Sequence, residues 1–482
     1  MPADYDLVVL GGTVEGRDAA LCATGYGARV ALIEPPDLFH NRQQAKYLLK
    51  GLEQIAAGQA QQHVQQWFYS EERSSQSVEL LDWAALVEWS AIAAKTQQPE
   101  YSLLSLSASG VDVIYAMPER LSQRLIVTAG GRNLKTRSVL AAFGTVPLPT
   151  VEPHAFSGSA ITGVESLLNR KLLPEQVFVW GDGLVAIAWA EALSTLGVQV
   201  TLVADRLLRE EDADMRGWVR SHIIATGIRL ENLSELVGNG LSADKKQTLA
   251  NQSLFLGATQ PALTLPEFVY HRANQYPDAD EQQDMRKYLL SNQYLQTAHA
   301  RVFACGSCLH SQAISDRTAR YEAQVATWNA LFIKNKKIDD SSTPQSYNRI
   351  ARAGKTPRFA IEGRSPTDGY TIWSASSANS ADLRRVSPSP SYCKLICKHN
   401  RLQSIHLFGD GASELIEALA LTLGKPIGDL ISKVKGLPMQ ASADCLIDLV
   451  RTAASQSIQS QWQPGQWRRD WAENWFNWRR SR

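Results

Sequence analysis

The feature that most constrains this chain is an apolar run that ends in a glycine-rich turn. Leu7-Val8-Val9-Leu10 leads into Gly11-Gly12-Thr13-Val14-Glu15-Gly16. Arg17 to Tyr26 reads as a helix, with Ala19, Ala20, Leu21 and Ala23 available for packing, and Gly27 stops it. Arg29-Val30-Ala31-Leu32-Ile33 reads as a second strand ending at Glu34. A strand, glycine turn, helix and strand closed by an acid is the pattern of a dinucleotide cradle. Its turn lets backbone amides approach a pyrophosphate at the helix N-terminus, and the acid accepts hydrogen bonds from a ribose. Gly11, Gly12, Gly16 and Glu34 are therefore candidate binding residues. Two features run against the pattern. Thr13 occupies the second glycine position, and Glu15 places a negative charge near the same helix end. A βαβ unit kept for its packing alone is the alternative.

A second unit of this kind begins at Val177. Val177-Phe178-Val179-Trp180 runs into Gly181-Asp182-Gly183-Leu184-Val185-Ala186, a GxGxxA turn, followed by a helix over 184–196 and the strand 199–203. Gly181, Gly183 and Ala186 are candidate binding residues. At the strand end, Ala204 falls where a ribose-reading acid is expected. Asp205 would serve NAD, and Arg206 or Arg209 a 2′-phosphate. A structural copy is again the alternative.

At 482 residues the chain has room for several cores. A net charge of +1 gives no field that would favour nucleic acid, so no nucleic-acid partner is expected. Cys22, Cys305, Cys308, Cys393, Cys397 and Cys445 are too sparse for a disulfide framework and suit a reducing compartment. With no signal-peptide pattern and no membrane-spanning run, a cytoplasmic protein is expected. The histidines show no metal spacing, so no metal site is expected. Residues 43–57 and 60–100 read as largely helical, and 339–390 as a polar bridge with a short strand at 371–374.

The chain resembles the pyridine nucleotide-disulfide oxidoreductases over about residues 4–455. The resemblance rests on both fingerprints, on Ala142-Phe143-Gly144-Thr145-Val146-Pro147 in place of the family's ATGxxP, and on Cys305-Gly306-Ser307 in place of its late G-D motif. Val200 to Arg220 looks most like mercuric reductase, and Tyr392 to Leu430 like the family's dimerisation domain. The resemblance implies an α/β protein with two Rossmann-type nucleotide-binding domains and a C-terminal α+β dimerisation domain, as in glutathione reductase. The implied domains are 1–150 with 285–335 for FAD, 151–284 for NAD or NADP, and 345–460 for forming a homodimer. It places Lys46, Gly144, Gly306 and Ser307 beside the flavin.

The departures are chemical. The family carries a redox CxxxxC on the helix after the first βαβ unit, followed closely by a lysine that Lys46 matches. Asp37 and Arg42 stand where its cysteines fall. The partner-donated HPxxxE acid-base pair falls on Leu437 and Ser442, with Pro438 retained. The glutamate that pairs with the lysine falls on Ala188, and Glu191, one turn on, is the substitute partner. Thiol-disulfide exchange needs a thiolate and a base, and both are missing. The expected function is an FAD-dependent NAD(P)H oxidoreductase whose acceptor is not a disulfide. The alternative is a degenerate dimeric binding, regulatory or scaffold protein. Cys305 and Cys308 form a CxxC that reads as a small strand residue and a cysteine that mercuric reductases also carry after their G-D, rather than as a relocated redox dithiol.

The tail, residues 461–482, departs from the family. After Pro464-Gly465, Trp467, Trp471, Trp475 and Trp478 recur on one helical face, flanked by arginines. Three occupants suit such a stripe: a membrane surface with anionic lipid, a groove on a partner protein, or the chain's own core.

Overall fold

The computed structural model describes residues 3–36, 41–55, 83–96, 99–147, 163–170, 172–232, 253–256, 259–270, 289–309, 316–332, 335–338, 345–347, 349–367, 369–377, 391–434 and 444–461. Asp37, Leu437 to Ser442 and the tail from Trp462 lie outside them. Two compact units emerge. The first holds 1–209 and 223–338, and the second holds 210–222 and 339–482.

The first unit is built on two sheets. In the larger, β1 (Tyr5–Leu10) lies between β2 (Val30–Glu34) and β6 (Arg132–Ala141), parallel to both. β3 (Val111–Tyr115) extends the sheet beyond β2. β4 (Pro118–Leu121) and β5 (Ile126–Ala129) form an antiparallel meander with β6. Strand β2 is buried along its whole length, which is why it reads as an unbroken apolar run rather than an alternating one. Helix α1 (Val14–Gly25) returns over the sheet and presents Ala19, Ala20 and Ala23 to the same cluster as Ala323 and Ala326 of the helix Asp316–Leu331. Small side chains on both helices let the two backbones come close. Helix α2 covers 41–55.

β7 (Thr145–Pro147) leaves β6 and pairs antiparallel with β12 (Thr259–Pro261). The smaller sheet has the order β10-β9-β8-β11, all parallel. Its strands are β8 (Gln176–Trp180), β9 (Gln199–Val203), β10 (Arg229–Glu231) and β11 (Ser253–Phe255). The helix Leu184–Thr195 joins β8 to β9. β13 (Val302–Ala304) returns to the first sheet and pairs parallel with β6.

The second unit is an antiparallel five-stranded sheet in the order β14-β15-β18-β17-β16. These are β14 (Gln345–Tyr347), β15 (Ile350–Gly354), β16 (Tyr370–Ser376), β17 (Tyr392–Lys398) and β18 (Arg401–Phe408). One face is covered by the helices Ala412–Ala420, Ile427–Val434 and Asp444–Gln461. The stretch 339–390, expected to be a bridge with one short strand, supplies three strands. β15 is held by register with β18, from Ile350 opposite Phe408 to Gly354 opposite Ser404, and only the pairing reveals it. Residues 210–222 belong to this unit through charge. Asp212 and Lys394 are buried together, with Nζ 2.6 Å from Asp212 Oδ2 and 2.7 Å from Asp214 Oδ2. Trp218 stacks on Tyr392.

Candidate functional site

The carboxyl ends of β1, β2, β6 and β13 come together where β1 divides strands leading to opposite edges. Parallel sheets place ligands at such a switch point. Gly11 follows β1 with φ +110°, and its amide donates to Ile33 O at 2.8 Å. A Cβ on Gly11 would stand 2.3 Å from Phe143 Cα, so only glycine fits between the two loops. A Cβ on Gly16 would stand 2.3 Å from Gly11 O. Thr13, in place of the expected glycine, turns its hydroxyl inward. It donates to Ala142 O at 2.7 Å and accepts from Gly16 N at 3.4 Å, capping α1.

Glu34 ends β2 with its carboxylate against the glycine turn, since a Cβ on Gly12 would stand 2.2 Å from Oε2. Arg17, from the first turn of α1, holds both Glu34 oxygens. Its Nε donates to Oε2 at 3.1 Å, its Nη2 to Oε1, and its Nη1 to Tyr101 O. Both residues are buried. Burial raises the Glu34 carboxyl above its ordinary value, and Arg17 partly offsets this. Each oxygen keeps a second lone pair, so the pair still has acceptor capacity for a ribose.

Beyond this cradle lies a cleft of about 210 Å³ lined by Thr13, Val14, Glu15, Arg42, Gln43, Lys46, Ser307, Asp316 and Ala319. Arg42 lies against the left-handed Gly144, φ +66°, where its Nη1 stands 2.0 Å from the place of a Cβ, and its Nη2 donates to Thr145 O. Ser307 Oγ faces the same glycine. Lys46 pairs with Asp316, not with Glu191, the partner expected from the sequence. Glu191 instead faces Glu53 of α2, whose carboxyl is pushed up to about 7 by burial and then by Glu191. Gly306 donates its amide to the buried Glu322 at 2.7 Å.

Glu15 is 7 % exposed, and burial pushes its carboxyl up to about 7. Arg42, its own amide and Thr13 pull the other way, while Asp316 adds to the rise. The sign of the pH dependence follows from that direction. Below about 4.5 Glu15 is protonated folded or unfolded. As pH rises to about 7 the unfolded chain ionises first, so folding loses stability, about 3 kcal/mol in all. Glu15→Gln is expected to melt higher than the parent above pH 7, and the gap to shrink as pH falls towards 4.5. A gap independent of pH would show that Glu15 is not held neutral.

Two thiols follow β13 beside the Gly306 turn. Cys305 and Cys308 are fully buried and free, and burial pushes both far above the ordinary thiol value. Cys308 Sγ donates to Cys305 O at 3.2 Å. Such thiols stay protonated and shielded from solvent.

The second turn differs from the first. Gly183 caps the helix Leu184–Thr195, and a Cβ there would meet nothing within 4 Å. Ala186 is buried beneath it. Asp182 is 3.9 Å from Arg209, and its carbonyl accepts from Leu208 N at 2.7 Å. Asp205 and Arg206 are exposed just past β9. Among the described residues no cluster of three His, Cys, Asp or Glu side chains is placed to hold a metal ion, and no helix is long and apolar enough to cross a membrane.

Arg17, Asp316 and Glu322 were not legible as site residues. Arg17 carries a faint signal, a cation directly after the third fingerprint glycine. Asp316 and Glu322 lie far along the chain from Lys46 and Glu15 and have none.

The backbone cradle fits a dinucleotide on its own geometry: backbone crowds out any side chain at Gly11 and Gly16, and an acid sits on the turn from the end of β2. The cleft beyond is smaller than the roughly 300–1,000 Å³ of ordinary ligand sites, so its charged side chains must give way to a large group. Comparison with known proteins agrees with this architecture. The chain is 25% identical over 448 residues to a mercuric reductase of Staphylococcus aureus, covering 89% of this chain and 79% of that one. It is 22% identical over 438 residues to a soluble pyridine nucleotide transhydrogenase of Marinobacter nauticus, covering 86% and 89%. The fold matches crystalline LpdA of Mycobacterium tuberculosis with a TM-score of 0.70 at 18% identity, over 94% of this chain and 99% of that one. The family model for pyridine nucleotide-disulphide oxidoreductases matches residues 5–330, and the chain belongs to that family, whose members bind FAD and NAD(P).

Proposed function

We propose that this chain is an FAD-dependent NAD(P)H oxidoreductase whose electron acceptor is not a disulfide, and that it works as a homodimer through its C-terminal unit. The observation that carries the reading is Arg42. A guanidinium lodged against Gly144 occupies the position at which the family resemblance puts a redox thiol. Cys305 and Cys308, which interact with Glu15 of the same cleft, are buried, and burial keeps their thiols protonated.

In this reading Gly11, Gly12 and Gly16 give the pyrophosphate its close backbone approach. Glu34, fixed by Arg17, receives the ribose hydroxyls. Gly144, Gly306, Ser307 and Lys46 border the flavin end, and Gly181, Gly183 and Ala186 with Asp205 or Arg206 receive the nicotinamide nucleotide. Bound FAD would supply hydride acceptance from NAD(P)H and onward electron transfer. The chain contributes a dry apolar floor from β1, β6 and β13, and a cation, Arg42, beside it.

Purified protein is expected to absorb near about 450 nm and to bleach with NADH or NADPH. It is expected not to turn over glutathione disulfide, lipoamide or thioredoxin. Turnover of any of these that survives Cys305→Ser and Cys308→Ser would overturn the acceptor assignment. A second reading is favoured by the self-paired charges of Glu15, Arg42, Lys46 and Asp316 in a small cleft. Under it the chain is a dimeric binding or regulatory protein that has lost its flavin and docks through Trp467, Trp471, Trp475 and Trp478 on a membrane surface or a protein partner. Colourless protein with no thermal gain from added FAD is the result that selects it.

A further inference from the structure

Glu15 bridges the two loops on which the proposed flavin site depends. It is the second residue of α1, and its carboxyl lies close enough to its own amide to hydrogen-bond there, at the helix end that bears partial positive charge. Its other side meets the Gly306-Ser307 turn, since a Cβ on Gly306, φ +81°, would stand 2.2 Å from Glu15 Oε1. A dinucleotide pyrophosphate needs that helix end, and it carries negative charge of its own.

We propose that Glu15 is an internal competitor for the pyrophosphate: its carboxylate occupies the N-terminus of α1, and FAD seats fully only when that carboxyl is neutral. This rests on the flavoprotein reading above. The consequence is an FAD affinity set by pH near neutrality, because burial places the Glu15 carboxyl at about 7. The groups facing Glu15 come from each packed element. Arg42 and Lys46 come from α2, Asp316 from the helix Asp316–Leu331, Cys305 and Cys308 from the turn after β13, and Thr13 from its own cap, while Glu322 and Asp18 face Cys305 on the same turn. The two thiols, pushed well above their ordinary values, stay neutral through the window. The cations Arg42 and Lys46 remain when Glu15 loses its charge, so one negative charge fewer opposes the incoming phosphates.

The test is FAD binding to full-length, flavin-stripped protein, followed by quenching of flavin fluorescence between pH 6 and pH 8. If only the neutral form binds, the parent's Kd is about tenfold higher at pH 8 than at pH 6. Glu15→Gln is expected to bind with a Kd that does not change over the same range and matches the parent at pH 6. The parent's own pH series stands without the variant, so misfolding of Glu15→Gln would leave the inference testable. A parent Kd independent of pH overturns the inference while leaving the flavoprotein reading intact. Absence of FAD binding in both proteins at every pH overturns both.

Discussion

Lys394→Met is expected to destabilise the protein by about 3–5 kcal/mol, the usual cost of removing one partner from a buried ion pair. The methionine keeps the volume and removes the charge. Asp212, fully buried, then keeps only its cap bonds to Asp214 N at 3.0 Å and Met215 N at 3.3 Å. The double variant Lys394→Met with Asp212→Asn keeps an acceptor for the cap and removes the stranded charge, so it is expected to regain more than half of the loss. Urea denaturation measures both. A single variant within about 1 kcal/mol of the parent would mean that the pair is solvated in solution.

The second large effect concerns Glu34 and separates its two roles. Glu34→Ala removes the carboxylate that faces the buried Arg17 guanidinium through two hydrogen bonds, and leaves the contact to Tyr101 O in place. A loss of about 3–5 kcal/mol is expected here too. Arg17→Met with Glu34→Leu exchanges the ion pair for apolar volume and is expected to recover most of that stability. The double variant has no ribose acceptor, so it is expected to fold and yet to lose FAD during gel filtration. If it keeps FAD as well as the parent does, Glu34 serves only to neutralise Arg17, and the ribose is held elsewhere.

The two glycine turns and Glu34 were legible because their signal is local: a buried parallel strand running into closely spaced glycines and, in the first unit, an acid at a fixed spacing. The antiparallel C-terminal sheet was legible only in part. β17 carries Tyr392, Cys393, Leu395, Ile396 and Cys397 and reads as a strand, whereas β14 and β15 are short and take their identity from pairing. The side-chain chemistry of the site was less accessible. Arg17 lies 17 positions from Glu34, yet a helix and a strand end must cross before they meet. Lys46 and Asp316 are 270 positions apart. The sequence displays the Glu15 charge, but only the packing of the Gly306 turn against it shows that the charge is buried. The attachment of 210–222 to the C-terminal unit had no sequence signal at all. Asp212 reads there as an ordinary helix cap.

That attachment has a consequence for synthesis. Asp212 leaves the ribosome 182 residues ahead of Lys394, a delay of roughly 10–40 s at ordinary rates of translation. During that interval Asp212 has no cation to accompany it out of water, and Trp218 has no Tyr392 to stack upon. The helix Ala213–Ala225 therefore cannot settle in its final environment while the nascent chain is short of β17. The first sheet's β1, β2 and β6 are already available, but this helix waits as a segment of the nascent chain without its final partners until β17 has been made.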